Sequence, residues 1–314
     1  MMNLTSTPES LLNISSLGLS IPGHLPCLVV SLPIILLTKA TCELLYRLLL
    51  TNVLPGIFRS FLLDLVSGGE AGVVSWELIT VYHEYGLGVW TVCTYLSMVG
   101  KVYLYRPDCV SCPYSHIMSC ITGLITVRDV LIRIASQIMG ASVFFRLQCL
   151  VWDLGLTDIH VARSYFMSYG VCTAWLSVPT WLGFIIECTG AWLSCVFASL
   201  LFDFQLLPSL SLLKRIFLNT GITISYVLIA FYHTGGFLHP LLAFIRTFGC
   251  QGVIQPVSVV DHLTVYWVGP TLGAVISIYT AQAVKQGWNR WGNKKKKESQ
   301  AIVVNIGDKH QHCM

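Results

Sequence analysis

The chain has 314 residues, of which 54% are hydrophobic and only 11% are charged, and its mean hydropathy is +0.69. A soluble globular domain carries about 25% charged residues, so this composition excludes an ordinary soluble protein and indicates several membrane-spanning helices. The net charge of +4 is small. We find no nucleotide-binding loop, catalytic triad or nucleic-acid-binding surface, and we therefore expect neither an enzyme nor a cofactor nor a nucleic-acid partner.

Seven apolar segments approach the length of about 20 residues that a membrane helix needs. They are 25–50, 61–82, 87–105, 127–151, 179–201, 212–233 and 262–284. The first either spans the membrane as an additional helix or lies in its interface, because it contains Pro33, Lys39 and Glu43. The first 24 residues lack the basic region that begins a cleavable signal peptide, so we expect none.

The basic residues predict the orientation of these spans. With seven spans, one side receives Lys or Arg at positions 47, 59, 101, 106, 128, 214, 215, 285, 290 and 294–297. The segments on the other side, 1–24, 83–86, 152–178 and 249–261, contain only Arg163. Cytoplasmic loops attract Lys and Arg, so the C-terminus is expected in the cytosol and the N-terminus outside the cell or in a lumen.

The two tails fit this orientation. Residues 1–24 form a lumenal or extracellular tail in which Asn3 and Asn13 stand in glycosylation acceptor motifs. Residues 286–314 are expected to be a disordered cytosolic tail, whose lysines 294–297 meet anionic lipid.

The cysteines predict no metal site. Most of the twelve lie inside apolar segments, where a thiol is a small hydrophobic group. The pair Cys109 and Cys112 has the C-x-x-C spacing but lacks the context of a redox motif and a second ligand pair for zinc. The sequence His310-Gln311-His312-Cys313 is better explained by a polar tail than by a metal site.

Two short turns interrupt the apolar segments in equivalent places. One is Cys112-Pro113-Tyr114 and the other is His239-Pro240-Leu241; Asp64 precedes the first proline by 49 residues, and Glu187 precedes the second by 53. A pair of small residues follows each turn: Gly140-Ala141 in the first half and Gly273-Ala274 in the second. This repeated order indicates an internal duplication, which in membrane proteins usually builds a pore or substrate path between the halves.

The motifs resemble those of the aquaporin (major intrinsic protein) family, over about residues 54–285 and in the family order. The resemblance rests on the second pore loop, Thr234 to Pro240 with Phe244; on the sixth helix, Tyr266 to Ala274; on the third helix, Ala135 to Ala141; and on the acids Asp64 and Glu187. Within the family the chain is similar to the unorthodox superaquaporin branch. The features of that branch are the segment Trp152 to His160, a first motif of the Cys-Pro-Tyr kind, and Leu242 where orthodox members carry a filter arginine.

The resemblance implies an all-α membrane protein with an inverted repeat of six transmembrane helices and two re-entrant half-helices. Its halves would be 54–151 and 179–285. Segment 25–50 precedes the region of resemblance and is the candidate for an additional N-terminal helix. The resemblance also implies a homotetramer with one pore in each subunit, and a hydrogen bond from the backbone of each pore loop to Asp64 or Glu187. Close helix packing is implied at Gln137, Gly140, Ala141, Gly269, Pro270, Gly273 and Ala274.

The pore motifs depart from those of orthodox members. The resemblance implies that two asparagines donate hydrogen bonds to the permeating molecule, but Cys112 and His239 hold those positions here. A thiol is a poor donor, whereas a histidine donates and titrates near neutral pH. We hypothesise that protonation of His239 alters conductance; the alternative is a neutral histidine whose hydrogen bonds are satisfied by the loop.

The filter positions are apolar. Leu242 replaces the cationic filter residue, and counting back 12 residues from His239 places Val227 at the fifth-helix position. An apolar filter either discriminates less between small solutes, so that glycerol and hydrogen peroxide join water, or narrows and dewets the pore. A rival register would place Arg106-Pro107-Asp108 at the first motif, but charged residues at the midplane are costly.

Two function classes follow from these motifs. The first is a passive channel for water and small uncharged solutes, in an intracellular membrane resembling the endoplasmic reticulum or in the plasma membrane. The second is a structural membrane protein that keeps the fold but does not conduct.

Overall fold

The computed structural model describes residues 25–104, 111–168, 174–204, 209–248, 250 and 257–311, with only the backbone described for 166–168 and 292–311. The glycosylation candidates Asn3 and Asn13 and the rival motif at 106–108 lie outside the described residues.

The described residues form ten α-helices and no strand. They are α1 (Cys27–Asn52), α2 (Ile57–Tyr103), α3 (Pro113–Ile121), α4 (Val127–Trp152), α5 (Asp158–Ser168), α6 (Thr180–Ala198), α7 (Leu212–Thr234), α8 (Pro240–Thr247), α9 (Val259–Leu263) and α10 (Gly269–Gln311). A π-helical stretch, Ser199–Asp203, extends α6, and another, Thr264–Val268, joins α9 to α10. The predicted all-α membrane class is confirmed.

Helix α2 contains two of the predicted spans in one 47-residue element. The break between segments 61–82 and 87–105 is Gly86, which has φ 75° and ψ −174°. A side chain makes this left-handed backbone unfavourable, so glycine supplies the bend. The two helices predicted over 61–82 and 87–105 therefore meet at this bend, which takes the place of a separate loop.

Five helical segments are long and apolar enough to cross a membrane, counted over the described residues. They are Cys27–Asn52, Val127–Trp152, Thr180–Asp203, Leu212–Thr234 and Val259–Trp291. The additional N-terminal segment is therefore one continuous helix of spanning length. Helix α2 is not among the five, and its first limb contains the buried acids Asp64, Glu70 and Glu77.

Glycines bring the helices of each half into backbone contact. A Cβ atom at Gly140 of α4 would collide with the backbone oxygen of Leu65 in α2, and one at Gly273 of α10 would collide with that of Cys188 in α6. Ala141 and Ala274, the next residues, are fully buried. The pairs α2–α4 and α6–α10 therefore pack in the same way, as an internal repeat requires.

The C-terminal segment differs from the expectation. A disordered tail was expected over 286–314, but α10 continues to Gln311. The segment 294–301 consists mainly of Lys, Glu, Gln and Ala, which are favourable in helices. A span that is already helical can therefore extend through it without a new nucleus.

Candidate functional site

Each of the two predicted turns begins a short helix. Helix α3 starts at Pro113 after the extended residue Cys112, and α8 starts at Pro240 after the extended residue His239. Proline suits this first position because its missing N–H would have no helical partner there. The two short helices contact each other, so the two halves of the repeat meet at these helices.

The two N-caps differ in chemistry. The Nδ1 atom of His239 accepts the backbone N–H of Leu242 at 3.4 Å, whereas Cys112 makes no side-chain cap hydrogen bond. Because Nδ1 accepts, the proton of a neutral His239 is on Nε2, which remains a donor. The cap therefore uses the uncharged imidazole, and protonation at Nδ1 would remove it.

Glu187 of α6 holds the loop before α8. Its buried carboxylate accepts the backbone N–H groups of Phe237 at 3.2 Å and Leu238 at 2.6 Å, and also the hydroxyl of Thr234. Leu238 has a positive φ of 50°, which is unfavourable for a leucine. The carboxylate thus fixes a strained loop directly before His239.

The second-half loop has one further anchor. The hydroxyl of Tyr266 donates to the backbone oxygen of Thr234 at 2.8 Å. Gly235 and Gly236 both have positive φ, and a Cβ at Gly236 would approach the backbone oxygen of Val227 within 2.7 Å. The loop is therefore held from α6, from α7 and from the segment that leads into α10.

Asp64 of α2 supports the first half by another route. Its buried carboxylate lies 3.0 Å from Nε2 of His116 in α3, 3.1 Å from Nε of Arg133 and 3.3 Å from Nε2 of Gln137. Arg133 also donates to Nδ1 of His116 at 3.3 Å, and Nε2 of His116 lies 2.8 Å from Nε2 of Gln137. The expected bond to loop backbone is absent among the described residues; Asp64 instead holds a side chain of the half-helix.

His116 was not singled out from the sequence. A signal existed, because a histidine three residues after Pro113 is unusual in a short apolar segment. Its partners lie 52 and 17 residues away in the sequence, so their identity depends on the tertiary fold.

The filter candidates lie in two different apolar clusters. Val227 is buried with Val74, Leu78 and Phe231, whereas Leu242 packs against a cluster that contains Phe237 and Tyr266. Leu241 of the second motif is fully buried. The structure therefore gives these positions apolar surroundings and does not group Val227 with Leu242.

The packing candidates lie where helices approach. Gln137 is in the Asp64 cluster, and Gly269 faces the backbone oxygen of Phe184 in α6, 3.2 Å from its ideal Cβ. Pro270 is buried at the start of α10. Pro113 is buried and Tyr114 is partly buried at the start of α3.

Two further buried acids, Glu70 and Glu77, were not singled out from the sequence. Glu70 of α2 accepts from Lys101 at 2.6 Å and from Tyr46 at 3.1 Å, and it lies 3.7 Å from Lys39 of α1. Through these contacts the additional helix α1 is tied to both limbs of α2.

Glu77 forms a second polar cluster among the helices. It accepts from Trp152 at 2.8 Å and from Gln148, and it lies 3.3 Å from Nε2 of His160 in α5. The acids were visible in the sequence, but nothing there indicated their partners.

Arg246 of α8 is a cation near the second loop that the sequence analysis also missed. Its guanidinium lies 4.9 Å from the ring centre of Phe237 and 5.6 Å from that of Trp175, and it donates to Ser75 at 3.5 Å. Arg246 lies one helical turn after Leu242. Leu242 occupies the position at which orthodox members of the family carry a filter arginine.

Comparison with known proteins supports the resemblance. No family model matches the chain. "Aquaporin-11" of Milnesium tardigradum is 24% identical over 259 residues, which are 81% of this chain and 87% of that protein. The X-ray structure of the aquaglyceroporin from Plasmodium falciparum superimposes with a TM-score of 0.52 at 14% identity, and the match covers 71% of this chain and 94% of that one.

The structural match is evidence for the fold, and the sequence match connects that fold to a named relative along most of its length. Together with two proline-started half-helices in equivalent positions of a repeat, they confirm the resemblance found in the sequence. The chain is therefore similar to the aquaporins in sequence and in fold, and within them to the superaquaporin branch.

Proposed function

We propose that the protein is a passive channel for water and for small uncharged solutes such as glycerol and hydrogen peroxide. The observation that carries this proposal is the contact between α3 and α8, whose N-terminal ends begin at Pro113 and Pro240. A helix N-terminus carries roughly half a positive charge, so two of them at one site oppose the passage of cations. A neutral solute meets no such barrier.

Hydrogen bonds to a solute at this site are expected to come mainly from the second half of the repeat. His239 is partly exposed and has Nε2 free to donate, because Nδ1 accepts from Leu242. Cys112 is buried and offers only a weak thiol donor. We propose that His239 provides the main polar contact for the solute and that Asp64 and Glu187 hold the two half-helices in place.

The apolar surroundings of Val227 and Leu242 support a broad solute range. A pore selects against glycerol or peroxide in one of two ways. Either its polar groups are left without hydrogen bonds when the solute enters, or a constriction is too narrow for the solute. Neither candidate filter residue offers a polar group, so we propose selection by size and charge.

The proposed setting is a multi-pass protein of an intracellular membrane similar to the endoplasmic reticulum, with the plasma membrane as the alternative. Cys250 follows α8 and is disulfide-bonded. Disulfides persist in oxidising compartments, which supports the lumenal or extracellular placement of segment 249–261. We further propose a homotetramer in lipid, with glycosylation at Asn3 and Asn13 on the same side.

A non-conducting structural protein is the second candidate. It is favoured by the full burial of Leu241 and by the apolar cluster that joins α2 to α7 through Leu78, Val227 and Phe231. If these side chains fill the path, the fold is retained without conductance.

Stopped-flow light scattering on liposomes that contain the purified protein distinguishes the candidates. A channel gives permeability to water, and to glycerol or peroxide, above that of empty liposomes. Pro240→Trp should abolish it, whereas Pro33→Trp, which places the same side chain on an exposed position of α1, should not. Lipid-level permeability of the folded, inserted wild-type protein for all three solutes would favour the structural role.

A further inference from the structure

Arg246 is a cation that the described residues leave without an acidic partner. The ion pairs of the described residues use Lys39, Arg47, Lys101 and Arg133 as cations, together with two histidines. Arg246 instead lies against Phe237 and Trp175 and reaches Ser75 with one N–H. Its charge is therefore compensated by aromatic faces and not cancelled by a carboxylate.

Burying a guanidinium without an acidic partner is unfavourable in free energy unless water can solvate it. Arg246 belongs to a short helix that is packed among spanning segments, yet its side chain is partly exposed. Ionisable groups at membrane depth usually face a bundle interior or a water-filled cavity. The partial exposure and the missing acid are the features expected of an arginine that borders an aqueous path.

The aromatic partner Trp175 comes from the connection between α5 and α6. Ser177 fixes this connection to the end of α7, because its N–H donates to the backbone oxygen of His233 at 2.9 Å. Trp175 also packs against Tyr82 of α2 and Phe231 of α7, with ring centres 5.9 and 5.2 Å apart. The position of the guanidinium thus depends on a segment outside the spanning helices.

Arg246 stands four residues after Leu242, which is one turn or about 6 Å further along α8. Helix α8 runs from the site where the half-helices meet toward segment 249–261, on the side opposite the basic loops. The guanidinium therefore lies nearer to the non-cytosolic mouth than the apolar filter candidates do.

We propose that Arg246, held by Trp175 and Phe237, is the specificity-determining residue that excludes cations, including hydronium, at the non-cytosolic mouth. This inference rests on the proposed channel function and adds the group that sets its charge selectivity. A fixed unit charge about 6 Å from a passing cation, at an effective dielectric constant of about 20, slows the cation about a hundredfold. A neutral solute is not slowed by this term.

The test measures water permeability and cation leak on the same proteoliposomes, with a pH-sensitive dye for protons and a sodium-sensitive dye for Na⁺. Wild-type protein should pass water and keep both leaks at the lipid level. Arg246→Gln should keep water permeability within about twofold and raise the cation leaks by about a hundredfold. Arg246→Lys should retain most of the exclusion, and Trp175→Leu should show an intermediate leak because the guanidinium loses one of its supports.

Arg47→Gln is the matched control, because Arg47 is exposed on α1 and its ion pair among the described residues is the i,i+4 pair with Glu43; it should not change either readout. If wild type and Arg246→Gln conduct water equally and both exclude cations, the inference is overturned and the channel function stands. If wild type passes no water, the channel function fails. The proposed role of Arg246 is then overturned with it, since it rests on the channel function.

Discussion

The most informative perturbation of the pore loop is Glu187→Gln. The carboxylate accepts three hydrogen bonds, from the backbone of Phe237 and Leu238 and from the hydroxyl of Thr234. Glutamine has the same shape but only one acceptor oxygen. The second oxygen is replaced by an N–H₂ group, which is itself a donor. It therefore faces an N–H or O–H group whose hydrogen bond the carboxylate accepted.

The magnitude follows from these contacts. A hydrogen bond to a charged group contributes about 1.5–3 kcal/mol and a neutral one about 1 kcal/mol. In Glu187→Gln one of the three hydrogen bonds is lost and the other two no longer involve a charged acceptor. Together these changes destabilise the closed loop relative to the open loop by about 4 kcal/mol. Residue 187 stays buried when the loop opens locally. The free energy of desolvating its charge is therefore the same in the closed and open states and does not enter this difference. The strained φ of Leu238 adds to the tendency to open.

Hydrogen exchange measured by mass spectrometry checks this estimate. Because 1.4 kcal/mol corresponds to a factor of ten, the amides of Phe237 and Leu238 should exchange roughly a thousandfold faster in Glu187→Gln. Water permeability should fall with the loss of loop order. Glu43→Gln is the control, since its exposed pair with Arg47 contributes less than about 1 kcal/mol. Unchanged exchange and permeability in Glu187→Gln would refute the anchoring role.

Three further predictions concern the caps, the first-half cluster and the packing glycines. His239→Asn should keep water permeability at neutral pH, because asparagine caps the helix and donates as neutral His239 does. It should remove the loss of permeability that acid causes in wild type by protonating Nδ1; a pH series of stopped-flow traces measures this, and an identical acid response in the variant would contradict it. Arg133→Met should lower stability by about 3–5 kcal/mol, since it leaves a buried carboxylate without its cation; thermal unfolding in detergent tests this against Arg128→Met, an exposed arginine whose loss should be neutral. Gly273→Ala should destabilise through collision with a backbone oxygen, whereas Gly221→Ala, which meets open space on a helix, should be neutral or slightly stabilising; equal unfolding temperatures would count against close packing.

Much of the architecture could be predicted because it depends on local chemistry. Pro113 and Pro240 begin helices at the predicted places, since proline at a first helical position is favoured whatever surrounds it. The glycines that allow helix contact were also recognisable from their spacing. The form of the break at Gly86 was not, because a glycine between two apolar segments is compatible with either a loop or a bend.

The polar contacts could not be predicted, because they join distant parts of the chain. Asp64 was expected to bind loop backbone, but the described structure gives it His116 and Arg133. Glu77 finds partners more than 70 residues away. A sequence shows that a buried acid needs compensation, but which side chain provides it depends on how helices rotate against each other.

If the paired half-helices enclose a path for neutral solutes, the reconstituted protein must conduct water. The most direct test is the osmotic water permeability of reconstituted wild-type protein compared with that of Pro240→Trp in liposomes with equal amounts of inserted protein. We expect permeability clearly above that of empty liposomes for wild type and a return to the lipid value for the variant. Equal permeability of the wild-type protein, the variant and empty liposomes would contradict it.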